Sequence, residues 1–542
     1  MIKQCGVKMG KISDLETGIT TNTIAHRELT NWESIKTVAA KSGPFTLSRV
    51  IYTLNTLSIG WALSQLSRND VAAGPFFTSL QYVLVGIPRG MVLSTGILIG
   101  EKNGAKEYKE VGKISRASWE LAALASSLSI LALLSAPTLM QSLGLTSSAV
   151  SRVSQNYLNY YSMAVPAILA SAAEQQLAVA TKDPKVPLAF STTYSGVSAG
   201  LGIPMALGLI NQGLSGVKGF GISTTIASWL GFTAMRLYYA CNNQYKKYDL
   251  FRFSYERQPN YFKQLVSLGW KIGLQSGAEF ANLMGTSIVI SSYAVKNNIP
   301  ALEMMAPLLQ ISSAWGLISL GYGQALATLI ANERGVMRKA LEKDDHDSAN
   351  AAKNNIRLIG HNGVLIGAGV STMLAAACLL FPSLFASVFL HNDLSDEQME
   401  QACNLLQVNA LGLIFDMMRN TYAGNLKGFK DVNFATISSF LLMTLASLLF
   451  GSIALSMDSS LETFTWIRNG SIALSMLASA VMWSGYNNLD THAQARVNTL
   501  EDADLTKVSF THSLFSLIKQ PRKPSDKSLL QGYQVVPGYG SR

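Results

Sequence analysis

Charge is what this 542-residue chain has least of. Only 14% of its residues are Asp, Glu, Lys or Arg, against roughly 25% in an ordinary soluble domain. An aqueous globule is therefore excluded as the whole answer. Cysteine is also scarce: Cys5, Cys241, Cys378 and Cys403 are scattered, with no CxxC pair, so neither a disulfide framework nor a zinc site follows. The six histidines show no metal-ligand spacing. There is no GxxxxGK[ST] loop for a nucleotide, and no constellation of nucleophile, base and metal. Neither an enzyme nor a bound cofactor is expected.

What the chain has instead is long apolar runs; 48% of its residues are hydrophobic. Crossing ~30 Å of hydrocarbon takes about 20 helical residues. Twelve such stretches are read, at 44–66, 76–100, 117–140, 157–180, 186–210, 217–241, 266–294, 305–331, 358–390, 402–425, 433–456 and 464–488. The net charge of +10 would raise nucleic acid in a soluble chain, but Lys and Arg here concentrate in the connections after the even-numbered stretches. Basic loops stay cytoplasmic, so those loops and both termini are placed there and no nucleic-acid partner is expected. The resulting division is a cytoplasmic tail at 1–42, a six-helix lobe at 43–241, a cytoplasmic linker at 242–265, a second lobe at 266–490 and a cytoplasmic tail at 491–542. The first tail is polar and does not read as a cleavable signal peptide.

A weak internal repeat supports two lobes. "ILIGEKNGA" at 97–105 and "TLIANERGV" at 328–336 align Leu98, Ile99 and Gly104 with Leu329, Ile330 and Gly335. The matched segments lie six helices apart. An even number of helices per half makes the repeats parallel, related by an axis along the membrane normal. Gly269, Gly273 and Gly277, spaced by four, read as a surface for close helix packing. Gly86, Pro88 and Gly90 are expected to kink the second helix.

A charged side chain at the bilayer centre costs roughly 2.5 to 3.5 kcal/mol, so each needs a reason. Arg49, Glu120, Arg236, Lys271 and Arg468 lie near the ends of their stretches and are expected to snorkel to the headgroups. Arg89 follows Pro88, and Glu174 sits beside Gln175 and Gln176; either is a candidate for an aqueous cavity. Glu279 and Asp416 are deeper. At ~100° per residue, Gln275, Glu279, Asn282 and Thr286 share one face of the seventh helix. Asn409, Asp416 and Asn420 form a similar stripe on the tenth, with Arg419 on its flank. Two polar stripes in one half predict a hydrated cavity in which the carboxylates titrate or hold a cation. The alternative is an inert Asp416–Arg419 pair that only fixes packing. Burial raises a carboxylate pKa in general and a nearby cation lowers it, so proton affinity can differ between outward and inward states. One charge crossing 100 mV releases about 2.3 kcal/mol, enough for a roughly fifty-fold solute gradient.

From about residue 42 to 490 the chain resembles the multidrug and toxic compound extrusion (MATE) transporters, closest to the NorM-like branch. "SGPFTLSRVIYTLNT" is similar to their first helix and "GILIGEKNGAKEYKEVG" to the end of their second. "LGWKIGLQSGAEFANL" at 268–283 and "FDMMRNTYAGNLKGFKD" at 415–431 resemble their seventh and tenth, with Glu279 and Asp416 on the family's acidic positions. The resemblance implies an all-α integral membrane protein whose two six-helix lobes are related by a pseudo-two-fold axis. It also implies export of amphiphilic or cationic compounds in exchange for protons or sodium by alternating access. Expected at the coupling-ion and substrate site are Glu279, Asp416, Asn282, Gln275, Asn420, Arg419 and Asn55, with Na+ possible at Glu279 and Asp416. Many bacterial members carry an Asp where this chain has Asn55, and an amide cannot take up a proton, so coupling is expected to rest on the C-terminal lobe. The chain is expected to work as a monomer among membrane lipids, in a bacterial inner membrane. Rival readings are a lipid-linked oligosaccharide flippase of the same superfamily, favoured by fourteen helices and a cationic cavity, and a membrane scaffold that has lost transport.

Overall fold

The computed structural model describes residues 26–64, 80–142, 148–183, 185–210, 212–251, 258–297, 301–389, 395–457 and 459–489, together with 491 and 494. Residues Met1–Asn487 group as one compact unit and Asn488–Arg542 as another. Among the described residues every regular element is helical and none is a strand. Helices suit lipid, because each backbone N–H and C=O is satisfied within its own segment.

Among the described residues, twelve helical passes follow one another. In the first lobe they are α1 (Asn31–Ser64), α2 (Leu80–Gly104), α3 (Tyr108–Ser142), α4 (Ser148–Tyr161, continuing through a tight turn into Val165–Ala180), α5 (Lys185–Ala206) and α6 (Val217–Cys241). In the second they are α7 (Pro259–Asn297), α8 (Ala301–Leu341), α9 (His346–Leu380), α10 (Asp396–Gly428), α11 (Asn433–Ser456) and α12 (Leu461–Asn488). A short helix, Pro382–Phe389, follows α9.

Six of these passes, α2, α3, α4, α8, α9 and α11, are long and apolar enough by composition alone to cross a bilayer. The three that supply charges to the site, α7, α10 and α12, fall outside that set because they carry polar stripes. Several helices outrun the apolar stretches read from sequence: α1 begins at Asn31 rather than 44, and α8 runs to Leu341 rather than 331. Hydropathy detects only the lipid-contacting part of a helix, while hydrogen bonding carries the helix on into water. Exposed Leu128, Leu131 and Leu139 on α3, and Phe440, Leu449 and Phe450 on α11, mark the lipid-facing surface.

The glycine stripe of α7 packs as expected. A methyl on Gly273 would collide with the Ile87 carbonyl at 2.7 Å, and one on Gly90 with the Gly273 backbone at 2.8 Å, so α2 and α7 approach backbone to backbone. Regular helix in α2 is interrupted at Val85 and again at Leu93, on either side of Gly86, Pro88 and Gly90.

The internal repeat turns out to be a contact. Gly104 packs on the Asn332 carbonyl of α8, and its repeat mate Gly335 packs on the Glu101 carbonyl of α2. Glu101 and Asn332 are themselves repeat mates, so the two matched segments meet each other about the pseudo-two-fold axis. Charge reinforces the contact. Glu101 Oε1 accepts from Arg338 at 2.8 Å, and its other oxygen lies 3.0 Å from Lys430 Nζ and 3.8 Å from Arg334. Asn103 donates to Asn332 at 3.1 Å. The ends of α2 and α8 nearest the basic loops are thus clamped together.

Candidate functional site

The site is assembled on α10, whose start is fixed by a capping box: Ser395 accepts from Gln398 N–H, and the Gln398 side chain accepts from Ser395 N–H. Such reciprocal capping satisfies donors that the first turn otherwise leaves open. Further along, Gly424 packs on the Gly323 carbonyl of α8, and Gly412 packs on Asn469 of α12. Side chains larger than hydrogen at these points would hold the helices apart. Trp315 Nε1 donates to the Leu413 carbonyl at 2.9 Å, locking the α8–α10 register.

That register places Asp416 and Arg419 against Glu279 of α7. Arg419 is 1% exposed and is the largest of the fully buried side chains. Its Nη2 lies 2.8 Å from Asp416 Oδ1 and 3.0 Å from Glu279 Oε1, and its Nη1 donates to Ser439 Oγ at 3.1 Å. One guanidinium thus joins two carboxylates from different helices. Read with its nitrogen toward Glu279, the Asn420 amide donates to Glu279 Oε1 at 3.0 Å and accepts from Arg419 at 3.1 Å and from Ser319 Oγ at 2.8 Å. Ser319 Oγ also lies 3.0 Å from Asp416 Oδ2, and its single proton serves one acceptor at a time.

A second guanidinium stands beyond Asp416. Arg468 of α12 donates to Asn409 Oδ1 at 3.0 Å and to Asn282 Oδ1 at 3.3 Å, while Asn282 Nδ2 donates to the Met443 carbonyl at 2.7 Å. Met443 belongs to a π-helical turn, Ser439–Ala446, within α11. Wider turns of this kind recur at functional sites because they re-aim backbone carbonyls. Here the same turn also supplies Ser439 to Arg419.

Glu279, Asn282, Asn409, Asp416, Arg419, Arg468, Trp315 and Met443 line one cavity, whose free interior is about 40 Å³. A water needs some 10 to 15 Å³ on this measure. Water or a small ion fits, whereas a drug-sized solute needs several hundred Å³. The charges balance: Glu279 and Asp416 against Arg419 and Arg468. Among the described residues, no group of three or more His, Cys, Asp or Glu side chains is placed to hold a metal.

The polar stripes read from sequence therefore converge in part. Glu279, Asn282, Asp416, Arg419 and Asn420 meet. Gln275 does not line the cavity; it is fully buried on α7, with no hydrogen-bond partner for either amide atom among the described residues. Asn55 lies in the other lobe, its amide nitrogen 3.5 Å from Ser198 Oγ and its oxygen without a partner among the described residues.

Three arginines expected to snorkel do otherwise. Arg468 turns inward to the amide oxygens of Asn282 and Asn409. Arg236 donates to buried Glu174 at 3.0 Å and lies over the Trp119 and Phe251 rings, each at 4.3 Å. Arg49 packs its stem on Gly321 of α8. Nearness to a helix end is a weak guide once a buried acceptor is within reach. Sequence reasoning also missed Ser319 and Ser439, since isolated serines in apolar helices carry no distinguishing signal.

Comparison with known proteins gives three concordant results. The MatE family model matches residues 44–208. A probable multidrug resistance protein NorM of Synechocystis sp. is 23% identical over 397 residues, 70% of this chain and 77% of that protein. The multidrug resistance protein NorM of Photobacterium profundum is 26% identical over 284 residues, 49% of this chain and 56% of that protein. Among solved structures, the outward-facing conformation of a multidrug resistance MATE family transporter of the MOP superfamily superposes with TM-score 0.71 at 14% identity, covering 85% of this chain and 97% of that one. The crystal structure of the eukaryotic MATE transporter AtDTX14 gives 0.69 at 16% identity, covering 86% and 98%. At such identities the structural likeness speaks for the fold.

Proposed function

We propose that the chain is a multi-pass membrane transporter of the multidrug and toxic compound extrusion family, not an enzyme, and that it exports amphiphilic or cationic compounds by secondary antiport. The observation that carries this reading is the placement of one guanidinium, Arg419, between the Glu279 and Asp416 carboxylates in a small polar cavity.

With both acids ionised, the cavity is neutral. A cationic solute approaching this cavity then meets two carboxylates already partnered by a tethered cation, and it gains by displacing Arg419 from one of them. Adding a proton to either acid leaves a net positive cavity, which opposes a second cation by several kcal/mol at short range. Proton and cationic solute thus exclude each other electrostatically. Mutual exclusion at a site that alternates between two faces is what antiport requires. Support for a proton rather than sodium comes from Glu279 Oε1 and Asp416 Oδ1, which both face Arg419. A sodium ion there would lie against a positive charge.

Other parts of the reading follow from composition and kinship. The basic loops support cytoplasmic termini, and the named bacterial relatives support an inner-membrane location. The protein works as a monomer with its sides in lipid. The flippase reading drew on fourteen helices; twelve passes are present among the described residues.

Transport of ethidium by the purified protein in liposomes, under separately imposed proton and sodium gradients, tests the proposal. Uptake into acid-loaded vesicles with no response to sodium is expected; a response to sodium alone contradicts the coupling assignment.

A further inference from the structure

Among the described residues, two guanidiniums inside the membrane have neither an acid nor a hydrogen-bond acceptor to answer them. Arg49 of α1 lies over the Phe45 ring at 4.8 Å, and its stem packs on Gly321 of α8, so it sits where the two lobes meet. Arg89 of α2 lies 5.5 Å from the centre of the Tyr52 ring, and Tyr52 follows Arg49 by one turn of α1. Neither arginine makes an ion pair or hydrogen bond to any described residue. Each is only partly buried, and the two repel one another.

The contrast with the other membrane-embedded arginines is sharp. Arg236 has Glu174, Arg419 has two carboxylates, and Arg468 has two amide oxygens. Holding two uncompensated charges together in a membrane is expensive unless something negative visits them.

The surroundings say what that visitor is like. Tyr52 stacks on Tyr194 at 5.4 Å, and Tyr194 stacks on Phe190 at 5.9 Å. Across the lobe boundary Tyr82 stacks on Phe280 at 5.0 Å. Aromatic faces accept planar rings in offset stacking. Guanidinium groups bind carboxylate, sulfonate or phosphate through paired, planar donors and are weakly hydrated, so they give up water readily.

We infer that Arg49 and Arg89, with the ring of Tyr52 held in place by buried Tyr194, form a subsite for the anionic group of an aromatic solute. The exporter then takes aromatic carboxylates or sulfonates as well as cations. The inference rests on the exporter reading only in that the solute is taken to pass between the two lobes, where Arg49 sits.

Fluorescein, an aromatic carboxylate, is the probe, and its anisotropy with the full chain in lipid nanodiscs is the readout. Saturable binding that weakens as salt rises is expected. In R49Q/R89Q, and to a lesser degree in each single variant, affinity falls about tenfold or more. R89K, which keeps the charge but loses the planar fork, recovers only part of it. Ethidium binding by R49Q/R89Q is no weaker, because two like charges have been removed; this also shows that the variant is folded. Absence of fluorescein binding in the wild-type protein, or equal affinity in R49Q/R89Q, overturns the subsite. So does displacement of fluorescein by a short-chain lipid phosphate but not by unlabelled aromatic carboxylate. Because binding is read without transport, a failure of proton-driven ethidium export would overturn the exporter reading and leave this result standing.

Discussion

Arg419 and Glu279 come from different helices, yet their Nη2 and Oε1 atoms lie 3.0 Å apart with side chains only 1% and 8% exposed. The arginine is therefore part of how α7 and α10 recognise each other as well as part of the cavity.

Removing it leaves Glu279 and Asp416 without their shared counter-charge. Breaking a buried pair from one side typically costs about 3 to 5 kcal/mol. R419A is expected to lose thermal stability in detergent by more than either E279Q or D416N, since in those variants Arg419 keeps one carboxylate. Thermal unfolding of the four purified proteins checks the order. Equal losses for all would mean that the guanidinium does not bridge.

Arg468 sets the charge of the cavity without touching either acid; its partners are Asn282 and Asn409. R468Q makes the cavity net negative. Ethidium should bind on the order of tenfold more tightly, and its release should slow transport. Equilibrium binding and turnover measured side by side provide the check, and weaker binding would contradict this role.

The clamp between the lobes depends on the close approach of Gly104 and Gly335 to the facing backbone and on Glu101 among Arg338, Lys430 and Arg334. G335V cannot close that contact, and E101Q loses about 1 to 3 kcal/mol of charge-assisted hydrogen bonding. Both should populate a state open at this end. Spin labels at the exposed positions Lys106 and Lys343 are expected to report longer separations in both variants.

Glu107, between α2 and α3, adds a pH dependence to the clamp. Burial pushes its pKa up, but the Lys102 bond and the charges of Lys102 and Arg338 outweigh this and hold it below the usual glutamate value of 4.5. A depressed pKa means that the stabilisation is complete above about 4.5 and is lost as pH falls through the lower, folded value. The same label pair should show no change between pH 8 and pH 6 and a lengthening below pH 4. E107Q should remove that acid step.

Much of the fold was legible because lipid enforces it: long apolar runs had to be helices. The repeat was legible too, since Gly104 and Gly335 are held by a contact that tolerates nothing larger. The site was legible only along single helices. Period 3.6 placed Glu279 with Asn282 and Asp416 with Asn420, because those pairs lie on one face. It could not bring Arg468 inward, because the Asn282 and Asn409 oxygens that draw it there belong to other helices. Nor could it foresee the π-helical turn of α11, whose apolar sequence suits an ordinary helix equally well. Gln275 shows the converse: it shares the helical face of Glu279 but lies beyond the cavity's end.

Glu279 and Asp416 are proposed as the exchanging acids, and the most direct measurement of that role is proton-driven ethidium transport by E279Q and D416N in liposomes. Each variant should stay folded but bind ethidium more weakly, because neutralising one acid leaves the cavity net positive, and should lose coupling, with transport no longer accelerated when a proton gradient is imposed. Coupling at the wild-type level in both would contradict it.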